Sequence, residues 1–157
     1  MQLPFRGVAH PPPSRGPPQN PADLSAAEIG TTNLGRGPGL PLLVEHDRGA
    51  LAGRVLASWE GRRGELRVAG VVDEPETIAA VRSGAMRGLS LGTGVTTDTD
   101  GNTIMKSHDE LSLCAEPRRG GCYIDTLDGR AVRSVECFSR GGAPLTPAKA
   151  HKAAPLA

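Results

Sequence analysis

The sequence has few aromatic residues and no long apolar run. Its 157 residues include one Trp, one Tyr and two Phe, so any core must be small and built mainly from aliphatic side chains. No stretch approaches the roughly 20 consecutive apolar residues that a membrane-spanning helix needs. The N-terminus also lacks the apolar segment of a signal peptide. We therefore expect an intracellular protein that does not bind a membrane.

The sequence has no excess of positive or negative charge, and its number of cysteines is odd. Eighteen basic and 17 acidic side chains give a formal net charge of +1, which lacks the basic footprint of a nucleic-acid-binding protein. The cysteines are three, Cys114, Cys122 and Cys137, and form no C-x-x-C pair. This pattern argues against a disulfide framework and against a zinc site. We expect no nucleic-acid partner, no metal and no cofactor.

Proline is plentiful but unevenly spread. Nine of the 14 prolines fall within residues 1–41. Because proline lacks an N–H and fixes φ, this N-terminal arm is predicted to hold no central strand, only one possible short strand at 5–9. Residues 42–138 carry most of the β-branched residues and are predicted to form the domain. Residues 139–157 contain bases but no acid and are predicted to be a disordered tail.

The predicted domain is mostly strand. A helix is predicted to start at Asp73 or Glu74, with Pro75 in its first turn, and Gly84 and Gly88 mark its end. The remaining apolar runs are short and separated by turns rich in Gly and Asp. They predict strands at 42–45, 51–59, 65–72, 89–97, 103–114, 122–126 and 131–138. We therefore predict a mainly β (α+β) fold, a small bent sheet or β-barrel with one or few helices.

Two residues of this domain have the chemistry of a base and a nucleophile. His46 ends a predicted strand, where an imidazole can face a cleft, although a solvated turn histidine shows the same pattern. Ser90 matches the motif G-x-S-x-G. The residues that follow are strand-like rather than helical, which argues against an α/β-hydrolase elbow. A nucleophilic serine and a plain Gly-rich strand edge both remain open.

Charged residues cluster on the strand predicted at 103–114 and in the turn after it. Strand alternation places His108 and Glu110 on one face and the intervening acid on the other. Arg118 and Arg119 form a basic turn. Each cluster by itself is also typical of solvated surface.

The order His46, Ser90, Glu110 and the Arg118–Arg119 pair resembles that of the capsid-maturation proteases. These are the assemblins of herpesviruses and the prohead proteases of tailed phages. Residues 40–47 are similar to the assemblin segment that ends in the catalytic histidine, and residues 88–91 to the segment that carries the nucleophile. In residues 111–121, a Leu-Cys pair and the two arginines stand in the assemblin register. The resemblance covers roughly residues 40–125.

The resemblance implies a serine endopeptidase. Ser90 would attack the peptide bond, His46 would take its proton, and Glu110 would orient the imidazole. The register favours Glu110 as the third member, whereas His108 is the literal match to a His-Ser-His triad. Backbone N–H groups near Arg118, or a water held by Arg119, would bind the oxyanion.

A scaffold or capsid-assembly protein is the substrate that the resemblance implies, cleaved where a viral capsid assembles in the host cell. Residues after Phe138 show no helical apolar stripe, so we expect the herpes-type dimer to be absent or to be built by another surface, and the oligomeric state is otherwise open. Two alternatives remain: a catalytically inactive binding or assembly module of the same fold, and a small serine esterase.

Overall fold

One eight-stranded sheet organises the chain. The computed structural model describes residues 1–14 and 20–132. Its strands are β1 (Leu3–His10), β2 (Pro41–Val44), β3 (Asp47–Glu60), β4 (Leu66–Val72), β5 (Gly88–Thr97), β6 (Thr103–Cys114), β7 (Ile124–Leu127) and β8 (Arg130–Ala131). They pair in the order β5-β6-β2-β3-β4-β1-β7-β8. All neighbours are antiparallel except β2 and β6, which are parallel. The predicted mainly β fold is confirmed.

Two helices accompany the sheet, α1 (Ala26–Thr31) and α2 (Pro75–Ser83). The side chain of Glu74 caps the start of α2 by accepting from the N–H groups of Glu76 and Thr77, and Pro75 follows in the first turn. Gly84 ends the helix with a φ of 90°, which favours glycine. The predicted bounds of this helix are confirmed. Neither helix among residues 1–14 and 20–132 is long and apolar enough to cross a membrane.

The N-terminal strand lies inside the sheet, which corrects the expectation that the proline-rich arm holds no central strand. β1 pairs with β4 on one side and with β7 on the other. Its side chains Leu3, Phe5 and Ala9 are buried in the core. The reason is local: Pro4 is the only proline in β1, and the pairing with β7 begins only at Phe5.

His10, at the end of β1, is also part of the folded structure. Its Nε2 accepts a hydrogen bond from the N–H of Leu24 (2.9 Å), and its Nδ1 donates to the carbonyl oxygen of Pro11 (2.7 Å). Burial lowers the pKa of His10, because the charged imidazolium is poorly solvated there. The neutral ring therefore ties β1 to the segment before α1.

The two ends of the sheet meet beside the start of β5. Gly88 forms a bridge with Tyr123, just before β7. Leu89 donates its N–H to the carbonyl of Cys122 (2.8 Å), and Ile124 donates to the carbonyl of Arg87 (2.9 Å). These contacts close the sheet into a barrel. A barrel was one of the two forms predicted from the sequence, the other being a bent sheet.

Arg87 connects α2 to β5. Its side chain is fully buried, and its Nε and Nη2 donate to the carbonyls of Val81 and Arg82 at the end of α2. Carbonyls in the last turn of a helix need partners from outside the helix: that of Val81 also accepts from the N–H of Gly84 (3.2 Å), and the guanidinium supplies further donors to this end of α2. The contact sets where β5 begins and hence where Ser90 stands.

Several sequence predictions concern residues outside the described part of the chain. The strand predicted at 131–138 is described only as far as Val132. Cys137, the tail at 139–157 and the dimer prediction, which depends on residues after Phe138, all lie beyond it. These statements stay predictions.

We expect Phe5→Ala to lower the free energy of unfolding by about 3–5 kcal/mol, the usual cost of emptying a buried aromatic site. Phe5 is 2% exposed, whereas Leu56 on β3 is 48% exposed. Leu56→Ala is therefore the control and should change stability by less than about 1 kcal/mol. Urea unfolding followed by circular dichroism measures both. Similar losses at the two positions would contradict a structural role for β1.

Candidate active site

His46 is placed by a tight hairpin turn. Val44 and Asp47 pair directly as the last residue of β2 and the first of β3, so Glu45 and His46 are the two central residues. Their φ values are 49° and 60°, the combination of a type I′ turn, which suits the twist of the flanking strands. Residues with side chains rarely adopt such φ values. Surrounding contacts must therefore hold this turn in place.

Those contacts come from β6. Glu45 donates its N–H to the carbonyl of Leu113 (2.9 Å). His46 donates its N–H to Oγ of Ser112, also 2.9 Å away. Because β6 pairs in parallel with β2, it runs directly under the turn and binds both of its residues.

Ser90 and Glu110 approach His46 from the neighbouring β5–β6 ladder. Ser90 pairs with Ser112, and Gly92 pairs with Glu110. Nε2 of His46 lies 2.9 Å from Oγ of Ser90, and Nδ1 of His46 is hydrogen-bonded to Oε1 of Glu110. The structure thus brings His46, Ser90 and Glu110 into one chain of hydrogen bonds. Ser90 sits within a strand, not at a strand-to-helix elbow.

The carboxylate is buried, whereas the imidazole and the serine hydroxyl are more accessible to solvent. The side chain of Glu110 is 8% exposed and that of His46 is 47% exposed, while Ser90 is half-buried. An ionised carboxylate only accepts hydrogen bonds, so the proton of His46 is on Nδ1. Nε2 is then free to accept the proton of Ser90. This arrangement has the geometry that activates a serine hydroxyl as a nucleophile.

A β-bulge separates His108 from this site, which corrects the expectation from simple alternation. Glu110 pairs with Gly92, but His108 pairs with Thr93, so Asp109 is an extra residue on β6. Gly92 and Thr93 are consecutive in β5 and point to opposite faces. His108 and Glu110 therefore do not share a face.

His108 has other neighbours. Its Nδ1 lies 3.1 Å from Oγ1 of Thr93. Its ring lines a cavity of about 360 Å³ together with Leu24, Glu28 and Lys106. Burial lowers the pKa of His108. The imidazole thus belongs to the contact between β6 and α1.

The side chains of the arginine pair point elsewhere than expected. Nε of Arg119 donates to Oδ1 of Asp23 (2.8 Å), and Nη2 donates to the carbonyl of Ala22 (3.1 Å). Arg118 is exposed and makes no hydrogen bond or ion pair with any residue in the described ranges. Neither guanidinium forms a hydrogen bond with Ser90 or His46 there.

The loop that carries these arginines nevertheless lies beside Ser90. A Cβ at Gly88 would come within 2.8 Å of Cδ of Pro117. Gly88 and Ser90 are two residues apart in β5 and point to the same face. Pro117, directly before the arginine pair, therefore covers the strand next to Ser90.

Two residues that support Glu110 were not predicted from the sequence. A Cβ on Gly92 would collide with Oε1 of Glu110, so only glycine leaves room for this carboxylate. Oγ of Ser112 donates to Oε2 of Glu110 (2.7 Å). The sequence held one signal for them. Gly92 follows Ser90 by two residues and Ser112 follows Glu110 by two, and residues two apart in a strand lie on the same face.

The two cysteines in the described part of the chain do not contribute to this site. Cys114 and Cys122 are buried free thiols. Burial raises the pKa of Cys114 to about 12, so its thiol stays protonated and is a poor nucleophile. Within residues 1–14 and 20–132, no group of three or more His, Cys, Asp or Glu side chains is arranged to hold a metal ion.

Comparison with known proteins gives structural matches alone. No family model matches the chain, and no curated protein does. The protease of Kaposi's sarcoma-associated herpesvirus (KSHV), in complex with a hexapeptide phosphonate inhibitor, matches with a TM-score of 0.59 at 16% identity. The match covers 79% of this chain and 64% of that one. The same viral protease with a dimer disruptor gives 0.54 at 17% identity, covering 100% of this chain and 91% of that one.

The varicella-zoster virus protease is a further match, with a TM-score of 0.50 at 14% identity over 80% of this chain and 64% of that one. At such identities the likeness shows the fold. The chain therefore has the fold of the herpesvirus proteases, and the predicted resemblance to the assemblins is confirmed at that level. The chain spans 64% of the length of two of these three structures.

We expect Gly92→Ala to slow the labelling of Ser90 by a fluorophosphonate at least tenfold, because the new methyl group pushes Glu110 away from Nδ1 of His46. Gly94→Ala is the matched control, since its Cβ would meet the side-chain oxygens of Ser107 and Asp109 instead. Labelling rates measured by mass spectrometry compare the variants. Equal slowing in both would mean that general strain in β5 is responsible.

Proposed function

We propose that this chain is a serine endopeptidase of the capsid-maturation type. The observation that carries the proposal is the hydrogen-bonded line from Ser90 through His46 to Glu110. It occurs on the fold of the herpesvirus proteases, in the residue order that the sequence predicted. A buried carboxylate, an oriented imidazole and an accessible serine are the three parts that acyl transfer by serine requires.

In the proposed mechanism, Oγ of Ser90 attacks the carbonyl carbon of the scissile peptide bond while Nε2 of His46 takes its proton. The imidazolium then protonates the leaving amine, and an acyl-enzyme ester remains on Ser90. Water, deprotonated by His46, hydrolyses this ester and restores the serine. Glu110 keeps the proton on Nδ1 and stabilises the imidazolium in both halves of the reaction.

Glu110, not His108, is the proposed third member. Its carboxylate accepts from Nδ1 of His46, while the bulge at Asp109 leaves His108 on the side of α1. A carboxylate also stabilises a positively charged imidazolium, which a second neutral imidazole does less well.

Backbone N–H groups near Arg118 are the proposed oxyanion donors. The guanidinium of Arg119 is already bound to Asp23 and Ala22, which argues against the alternative of a water held by that side chain. The position of Pro117 over the strand next to Ser90 favours donors from this loop. Such donors act by stabilising charge that develops only in the transition state.

A scaffold or capsid-assembly protein is the proposed substrate, cleaved inside the host cell where the capsid assembles. An extended peptide suits an open site in which Ser90 is half-buried and His46 is almost half exposed. The KSHV protease of the same fold was crystallised with a hexapeptide phosphonate inhibitor, which is in keeping with a peptide substrate here. The proposed reaction uses no metal or cofactor.

We expect Ser90→Ala to abolish proteolysis while the protein stays folded, with a loss on the order of 10⁶ in kcat. Ser107→Ala, at an exposed position of β6, is the control and should retain full activity. Cleavage of a candidate scaffold or capsid-assembly protein, followed by gel electrophoresis, is the assay. Processing by a folded Ser90→Ala protein at the wild-type rate would refute the proposal.

The wild-type protein distinguishes the alternatives in the same experiment. Hydrolysis of small esters without cleavage of any protein would indicate an esterase. A folded wild-type chain whose Ser90 is not labelled by a fluorophosphonate would indicate a binding or assembly module.

Glu110→Gln and His108→Gln, assayed side by side on the same substrate, test the third member. We expect Glu110→Gln to lose on the order of 10³–10⁴ in kcat, because the amide cannot stabilise the imidazolium. His108→Gln should lose less than about threefold, since His108 contacts Thr93 instead. The opposite ranking would identify a His-Ser-His enzyme.

A further inference from the structure

We propose that Ser112 is a positioning residue of this site, acting on the reaction through both Glu110 and His46. The proposal rests on the proposed function and adds a residue to it. Ser112 lies on β6 directly opposite Ser90 and is completely buried. Because no part of it reaches solvent, it does not touch substrate, and any effect on catalysis must pass through its neighbours.

The hydroxyl of Ser112 has one proton, and the structure determines where that proton goes. Its oxygen accepts from the N–H of His46 (2.9 Å) and lies 2.7 Å from Oε2 of Glu110. A backbone N–H only donates and an ionised carboxylate only accepts, so the hydroxyl proton points to Glu110. One side chain thus joins the turn that carries the base to the carboxylate that orients it.

This connection adds a constraint to two parts of the site, the carboxylate of Glu110 and the turn that carries His46. Glu110 receives a donor at each oxygen, from His46 at Oε1 and from Ser112 at Oε2, which fixes the rotation of the carboxylate. The turn at Glu45 and His46 has unfavourable φ values, and the bond to Ser112 is one of two that hold it. Buried hydrogen bonds to a charged group are strong. Without Ser112, we expect the carboxylate and the turn to move more freely, so that Nε2 of His46 is held less firmly against Ser90.

The test compares Ser112→Ala with Ser58→Ala in the full chain. We expect Ser112→Ala to lower kcat about 10- to 100-fold with KM changed less than about twofold, the effect of one lost hydrogen bond to a charged group. Ser58 is the matched control because its Oγ also accepts from a backbone N–H, that of Leu34 (2.8 Å), and lies 3.5 Å from the carbonyl of Thr32. Its replacement should leave kcat unchanged. A Ser112→Ala enzyme with a kcat within twofold of the wild type would overturn the proposal.

A double-mutant cycle separates positioning from a purely structural role. In a Glu110→Gln background, we expect Ser112→Ala to cost clearly less in kcat than it does in the wild type, because the part of its effect that acts through the carboxylate is gone and only the bond to His46 remains. An equal loss in both backgrounds would overturn the proposal. If the alanine variant does not fold, Ser112→Cys, with a similar volume and a weaker donor, is judged by the same two criteria.

A spectroscopic signature keeps this test independent of the proposed function. The Nδ1 proton of His46, bonded to a carboxylate, gives a low-field proton NMR signal whether or not the protein is a protease. We expect Ser112→Ala to shift or broaden that signal and Ser58→Ala to leave it unchanged. An unchanged signal in Ser112→Ala would overturn the positioning role. A wild-type protein that shows the expected signals but has no activity would overturn only the proposed protease function.

Discussion

The parallel pairing of β2 with β6 is the constraint on which the candidate site depends. β6 lies between β2 and β5, so one strand contacts the turn that carries His46 and also the strand that carries Ser90. Residues 110–113 supply the carboxylate, the bridging hydroxyl and the carbonyl that holds the turn. If β6 were displaced by one residue, each of these side chains would move to the opposite face.

Burial and the room left by neighbouring residues then determine which side chains of β6 reach His46. Glu110 is buried with two donors, and Gly92 supplies the space for its carboxylate. The bulge at Asp109 turns His108 away from the same site. Glu110 and His108 are only two residues apart on β6, yet Glu110 belongs to the proposed triad and His108 packs near α1. The reason is that the unpaired residue between them reverses the alternation of side chains along the strand.

The surrounding barrel keeps this geometry rigid. β1 lies between β4 and β7, and the start of β5 meets the segment before β7 where Gly88 bridges Tyr123. Ser90 stands two residues after that junction, and the loop of Pro117 covers the strand beside it. Ser90 is therefore carried by a closed sheet, which suits the proposed function, since such a site must hold its donors and acceptors in place before substrate binds.

The sequence by itself determined the local features: the strand-rich pattern, the helix between Glu74 and Gly84, and the order of His46, Ser90 and Glu110. Caps, turns and alternation depend on near neighbours in the chain, so they can be read from it. Only the tertiary structure decided that β1 is central, that Asp109 is a bulge, that Arg119 binds Asp23, and that Gly92 and Ser112 support Glu110. These outcomes depend on strand register and packing between residues far apart in the chain, which local residue preferences do not specify.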